Sequence, residues 1–269
     1  SNHTSVQPIF IEICAGSARL SMRLTEVGIR AVAIDHSRNS HTSHNPIVCL
    51  DMADAEQCDV IIALIQSGNV EIIWAAVPCG TAARCREIPL PNGRRGPVPL
   101  RNAEFPRGLP SLRGADAERV AKANAIYDNV ARILFFMIAS GGLVVVENPR
   151  GSWLWQLSDY QRLLTLCCRD YDFQHCKWTP FEPMRPKWTR LRSNITQLEM
   201  MVGPCHCNHT HLGWGLITDK EGAQVWATAG EAEYNDGMYY VVADLLKVVL
   251  EVRGFTLQGR MDNPDFRVA

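Results

Sequence analysis

Apolar positions along the first 80 residues come in short blocks separated by amphipathic ones. Phe10 to Cys14 reads as a strand, Ser17 to Gly28 has helical spacing at Leu20, Met22, Leu24 and Val27, and Ala31 to Ile34 reads as a second strand. Glu56 to Gln66 predicts a helix and Val70 to Val77 a continuous apolar strand, the pattern of a strand covered on both faces. The alternation resumes with a long helix over Ala117 to Ser140, a strand at Leu143 to Val146 and a helix near Asp159 to Cys168. Strands and helices that alternate in this way predict an α/β fold with a mostly parallel sheet.

The two blocks are separated by a segment of different character. Pro78 to Pro110 holds seven of the chain's 15 prolines, which excludes a regular helix or a central strand and predicts a long, partly extended loop. Its charge is one-sided, with Arg84, Arg86, Arg94, Arg95, Arg101, Arg107 and Arg113 against Glu87 and Glu104, so that 7 − 2 gives +5 over residues 84–113. Guanidinium forks suit phosphate oxygens, which makes Arg84, Arg86, Arg94, Arg95 and Arg101 candidate nucleic-acid contacts. A solvated loop bridged to an acidic body is the competing reading.

Composition changes this picture little. The 269 residues are 46% hydrophobic with a net charge of −1, which is globular material and excludes a uniformly basic binder. Ten cysteines with no basic-then-apolar leader read as intracellular thiols or metal ligands rather than a disulfide scaffold. No run approaches 18 apolar residues, so no membrane partner is expected, and an intracellular location is, nuclear in a eukaryote.

In an open parallel sheet, ligands bind beyond the carboxyl ends of the strands. The first strand ends in Glu12-Ile13-Cys14-Ala15-Gly16, a small-residue turn into a helix N-terminus. The second ends in Asp35-His36, an acid placed to hydrogen-bond a ribose, and a third, Ile47 to Leu50, in Asp51-Met52. Together they predict a nucleoside site, although a tight turn explains the first equally well. After Val77 comes Pro78-Cys79, which puts a thiol beside the arginine loop. Such surroundings would depress its pKa and make it a nucleophile, against the alternative of a small buried thiol. After Val146 comes Glu147-Asn148, a carboxylate whose partial desolvation would raise its pKa, or a helix cap.

Pro78-Cys79 followed by Glu147-Asn148 and Arg190-Leu191-Arg192 resembles the DNA (cytosine-5)-methyltransferase family. The family's D-L-F-x-G-x-G-G is matched by Glu12 to Arg19, which keeps the acid and the first glycine. Ile126 lies in a stretch similar to the helix before its Glu strand, and Asn235-Asp236-Gly237 is similar to its last motif. Pro149 replaces its Val, and Trp188 replaces the Gln before its R-x-R. The resemblance implies a Rossmann-like S-adenosylmethionine-dependent methyltransferase fold. It implies Cys79, Glu147, Arg190 and Arg192 as catalytic residues. It implies cofactor contacts from Glu12, Cys14, Ala15, Gly16, Asp35, His36, Asp51, Met52, Pro78, Ile126 and Asn235, and DNA as the partner of a monomeric enzyme. Base flipping would bring a cytosine to Cys79.

The implied catalytic domain covers residues 8–193 and 228–260, with residues 78–114 as its long loop and 194–227 as a small lobe. Where the family has a recognition domain, Ser193 to Thr228 spans only 36 residues. Target choice must then be minimal, come from the loop, or come from a partner or a larger polyprotein. That lobe holds Cys205-His206-Cys207-Asn208-His209-Thr210-His211, and Cys205, His209 and His211 with Cys176 would make a Cys2His2 zinc site. Cys207 or His206 can replace any of the three, and a polar loop contacting phosphate is the alternative. Cytosine in RNA and a catalytically degenerate binding module remain open as other functions. A zinc nucleobase deaminase needs P-C-x-x-C, and the next cysteine after Cys79 is Cys85.

Overall fold

The computed structural model describes residues 7–88, 96–179, 184–206, 208–218, 222–228 and 233–257. Seven strands form one sheet: β1 (Ile9–Ile13), β2 (Arg30–Asp35), β3 (Ile47–Cys49), β4 (Val70–Ala75), β5 (Leu143–Pro149), β6 (Arg169–Gln174) and β7 (Trp188–Ser193). Their order is β3-β2-β1-β4-β5-β7-β6, with β7 antiparallel to both neighbours and the remaining pairs parallel. The chain first winds outward from β1 to β3 and then restarts at β4 on the other side of β1. The crevice at the carboxyl ends of β1 and β4 is therefore the topological switch point.

Both faces are covered, as the continuous apolar strands require. Ile11, Ile13, Ile73, Val144 and Val146 pack under α2 (Ala55–Gln66), α3 (Gly114–Ala139) and α4 (Ser158–Thr165). Phe10, Trp74, Val145, Phe173 and Leu191 pack under α1 (Arg19–Glu26) and α5 (Asp236–Val252). No described helix is long and apolar enough to cross a membrane.

Element bounds differ from expectation where the backbone turns left-handed. Helix α1 begins at Arg19 rather than Ser17, because Cys14, Gly16 and Ala18 all have φ between 54° and 58°. Helix α4 stops at Thr165, three residues early, because Cys167 takes φ 69°. Strand β4 ends at Ala75, two residues before the expected end. A two-stranded hairpin of β8 (Leu216–Thr218) and β9 (Gln224–Trp226) was not expected, its strands being too short to show a period.

Candidate active site

A cleft of about 1460 Å³ opens over the switch point. One half is built by the ends of β1, β2 and β3. Asp35 Oδ2 accepts the Gly16 N–H at 2.8 Å and its Oδ1 accepts the His36 N–H at 2.7 Å, so the carboxylate ties the first two strand ends together. Each oxygen retains a second lone pair for a ligand hydroxyl. Asp51 accepts Lys122 Nζ at 2.9 Å and the Ala53 N–H at 3.0 Å. Burial pushes that carboxyl up, but these two donors and the lysine charge outweigh it and hold it below its usual range. Glu12 accepts from both the N–H and the hydroxyl of Ser21, at 3.0 and 2.6 Å, and burial still lifts it to about 7. Three consecutive left-handed turns at Cys14, Gly16 and Ala18, two of them without glycine, are backbone strain of the kind that collects at binding sites.

The other half is built by the ends of β4, β5 and β7. The Pro78-Cys79 turn is pinned from two sides. Asn148 Nδ2 donates to the Val77 carbonyl at 2.8 Å and the Tyr127 hydroxyl donates to the Pro78 carbonyl at 2.5 Å. Cys79 and Glu147 both line the cleft, close enough that Glu147 raises the thiol pKa. Burial is the larger cause, and the thiol is pushed up to about 11, with Lys187 opposing. The expected depressed thiol is thereby corrected, because the described arginines of the loop turn to other partners and a carboxyl group is nearer. Burial also raises Glu147, against the Lys187 charge and a hydrogen bond from the Thr189 hydroxyl. Glu147 Oε1 is buried without a hydrogen-bond partner among the described residues.

Several expected site residues stand elsewhere. Arg192 is 1% exposed, its guanidinium bonded to both oxygens of Asp170 and to the Tyr160 carbonyl. Arg190 makes the same two-pronged contact with Asp172. Neither lines the cleft. The reason is strand parity: in the β5–β7 pair Glu147 lies opposite Leu191, so Leu191 and Thr189 share the face of Glu147, and Arg190 and Arg192 share the opposite face with Asn148 and Val146. Counting back in twos from Leu191 leads to Thr189 and Lys187, two site residues that the R-x-R reading missed and the alternation could have found.

Arg101 is corrected too. It is 1% exposed, donating to Thr81 Oγ1, Asn124 Oδ1 and the Pro106 carbonyl, and so fastens the loop to α3. Arg107 is paired with Asp128, and Arg113 with the carbonyls of Pro110 and Leu112. Arg84 and Arg86 line the cleft, Arg84 held by Glu87 and Arg86 by the carbonyls of Gly80 and Val98. Arg94 and Arg95 lie outside the described residues. Asn235 caps α5, accepting the Met238 N–H and donating to the His175 carbonyl, and does not line the cleft. Glu12, Cys14, Ala15, Gly16, Asp35, His36, Asp51, Met52, Pro78 and Ile126 all do.

At the edge of the sheet, Cys176, Cys205, His209 and His211 bring one ligand atom each within 4.8 Å of one another. Cys207 lies outside the described residues.

Strand order, the reversed β7 and the cleft at the switch point define a Rossmann-like, doubly wound α/β fold. No family model and no curated protein matches the sequence. Solved structures similar to this chain include three at 11–14% identity. A DNMT2 triple mutant from Spodoptera frugiperda has TM-score 0.39 and 14% identity, covering 70% of this chain and 51% of that one. The S. pombe Dnmt2 methyltransferase has TM-score 0.34 and 11% identity, covering 69% and 49%. The Entamoeba histolytica methyltransferase EhMeth has TM-score 0.42 and 11% identity, covering 79% and 59%. The chain thus spans between 49% and 59% of the length of these structures.

Proposed function

We propose that this chain methylates C5 of a cytosine in nucleic acid, DNA in the reading its sequence resemblance implies. The supporting observation is the convergence of Cys79, Glu147 and Lys187 in one cleft whose other half carries Asp35 and Asp51. S-adenosylmethionine, held at Gly16, Asp35 and Asp51, would supply the methyl group as an electrophile.

C5 of cytosine is a poor nucleophile. Addition of the Cys79 thiolate to C6 pushes the ring electrons to C5 and places negative charge at N3. Glu147, whose pKa burial raises, would in its protonated form donate from its unpartnered Oε1 to N3 and stabilise that charge as it develops. Lys187 provides the cation on this side of the cleft in place of Arg192, and favours the Cys79 thiolate. After methyl transfer, loss of the C5 proton regenerates the C5–C6 double bond and expels the Cys79 thiolate. The base must leave its stack to reach Cys79, at a cost of a few kcal/mol, and Trp188 and Trp214 at the cleft offer surfaces on which it can stack.

The test is incubation with S-adenosylmethionine and oligonucleotides carrying 5-fluorocytosine, which blocks the last proton loss. A denaturant-resistant adduct on DNA, absent in Cys79→Ala, is the expected result. An adduct on RNA alone would move the substrate to RNA. Cofactor binding with no adduct on either would leave a non-catalytic binding module.

A further inference from the structure

The Cys/His group at the sheet edge lies outside the proposed chemistry, and its geometry is that of a metal centre. Cys176 is fully buried in the turn that follows β6. Its Sγ is 3.4 Å from His211 Nε2, and Cys205 Sγ is 3.9 Å from His209 Nε2. A tetrahedral zinc with Zn–S of about 2.3 Å and Zn–N of about 2.0–2.1 Å has ligand-to-ligand edges of roughly 3.3–3.8 Å, and all four atoms here lie within 4.8 Å of each other. Two thiolates and two imidazoles in a tetrahedral set select zinc over the hard cations.

The backbone around the ligands is already placed for this arrangement. The Gly203 N–H donates to the Asp172 carbonyl and the Cys205 N–H to Gln174 Oε1, which sews the first ligand loop to β6. The Leu212 N–H donates to the Met184 carbonyl and Arg185 Nε to the Gly213 carbonyl, which sews the second to the segment leading into β7. At and beside these seams the segment buries little: Val202, Leu212 and Trp214 are each between 37% and 40% exposed. So few buried side chains cannot hold a loop in one conformation, and metal coordination is the usual substitute for a missing core.

We propose that Cys176, Cys205, His209 and His211 bind one structural Zn2+ that fastens the segment carrying Trp214 to the end of β6 and so completes one wall of the cleft. All four positions are filled by protein, so the ion has no open site for catalysis. Binding converts two thiols to thiolates and releases two protons to solvent, which makes zinc affinity rise with pH.

The test requires no methyl transfer and is therefore independent of the proposed function. The purified full chain should contain about one zinc per molecule. Replacement by Co2+ should give the intense visible bands of a tetrahedral thiolate site. The double variant Cys205→Ser with His211→Asn, both changes being outside the core, should drop below roughly a tenth of a zinc per chain and keep its far-ultraviolet circular dichroism. In the wild type, chelation should lower the midpoint of thermal unfolding and speed proteolysis within residues 202–215. A metal-free preparation whose melting and proteolysis are unchanged by added zinc would overturn the proposal. So would a Cys176–Cys205 disulfide seen as a loss of two mass units.

Discussion

The Thr189 hydroxyl lies 2.7 Å from Nε2 of His175 and also hydrogen-bonds the carboxyl of Glu147. A hydroxyl has one proton to give, so Thr189 donates to Glu147 and His175 donates from Nε2, an assignment that follows from the network. The chain His175, Thr189, Glu147 therefore fixes the buried carboxyl by one oxygen and leaves Oε1 for a ligand. Thr189 is fully buried and serves as a positioning residue.

Thr189→Val should slow methyl transfer about tenfold, the loss of roughly one hydrogen bond's worth of orientation. Because this bond favours the charged carboxylate, its loss also raises the Glu147 pKa. The pH–rate profile rises through the lower pKa of the Glu147/Cys79 pair and falls through the upper, so the acid-side limb should move to higher pH. The groups facing Glu147 are Lys187, Cys79 and Tyr234, none of which this substitution alters. Thr189→Ser should restore both rate and limb, and an unmoved limb would mean that Thr189 only packs.

Lys187→Ala and Arg192→Ala should separate cleanly. Lys187 lowers both Cys79 and Glu147, so its removal should raise both and slow adduct formation, with the thermal midpoint little changed. Arg192→Ala takes a fully buried guanidinium away from Trp155, frees the Tyr160 carbonyl and leaves Asp170 to Arg190 alone, and should cost about 3 kcal/mol in urea unfolding. If Arg192→Ala instead folds normally and is selectively inactive, its assignment as structural is wrong.

Glu12 gives the fold a pH dependence of definite sign. Its folded-state pKa of about 7 stands above the model-peptide value of 4.5, so the native state holds a proton that the unfolded state has lost between these pH values. Its stabilising contribution is therefore complete below pH 4.5 and falls away as pH rises to 7. Between pH 5 and 7.5, wild type should lose about 2–3 kcal/mol of unfolding free energy relative to Glu12→Gln, which still accepts from Ser21. Parallel pH curves for the two proteins would contradict the raised carboxyl.

Asn148→Ala should loosen the Cys79 turn without dismantling the sheet. It removes the only described tie from β5 to the Val77 carbonyl and leaves that carbonyl buried, costing about 1–2 kcal/mol. Adduct formation with 5-fluorocytosine should fall further than stability does, because the thiol loses its fixed approach. Tyr127→Phe, which frees the Pro78 carbonyl, should act in the same direction.

Much of this molecule was legible along the chain. Strands β1, β4 and β5 and the covering helices followed from continuous apolar runs between amphipathic ones, since a strand buried on both faces leaves few polar positions to confuse the reading. The strand-end rule led to Asp35, Asp51, Cys79 and Glu147, and all four line the cleft. Ala18, which stands where the resembled motif has its second glycine, nonetheless keeps a left-handed φ of 54°, so the turn outlasted its glycine pattern. The Cys/His spacing offered Cys176, Cys205, His209 and His211, with Cys207 or His206 as substitutes, and among the described residues the structure draws those four together.

The sequence by itself thus determined the sheet, its covered faces and the strand ends where chemistry can occur, because burial periodicity and chain order are local properties. Only the tertiary structure decided which side chains of β7 stand beside Glu147, since one residue of register exchanges Leu191 and Thr189 for Arg190 and Arg192. It also decided the fate of the loop charge. An arginine counts as +1 in any sequence sum, but Arg101 buried against Thr81 and Asn124 and Arg107 paired with Asp128 have spent their donors inside the protein, and partners 20 or more residues away leave no trace in a local pattern.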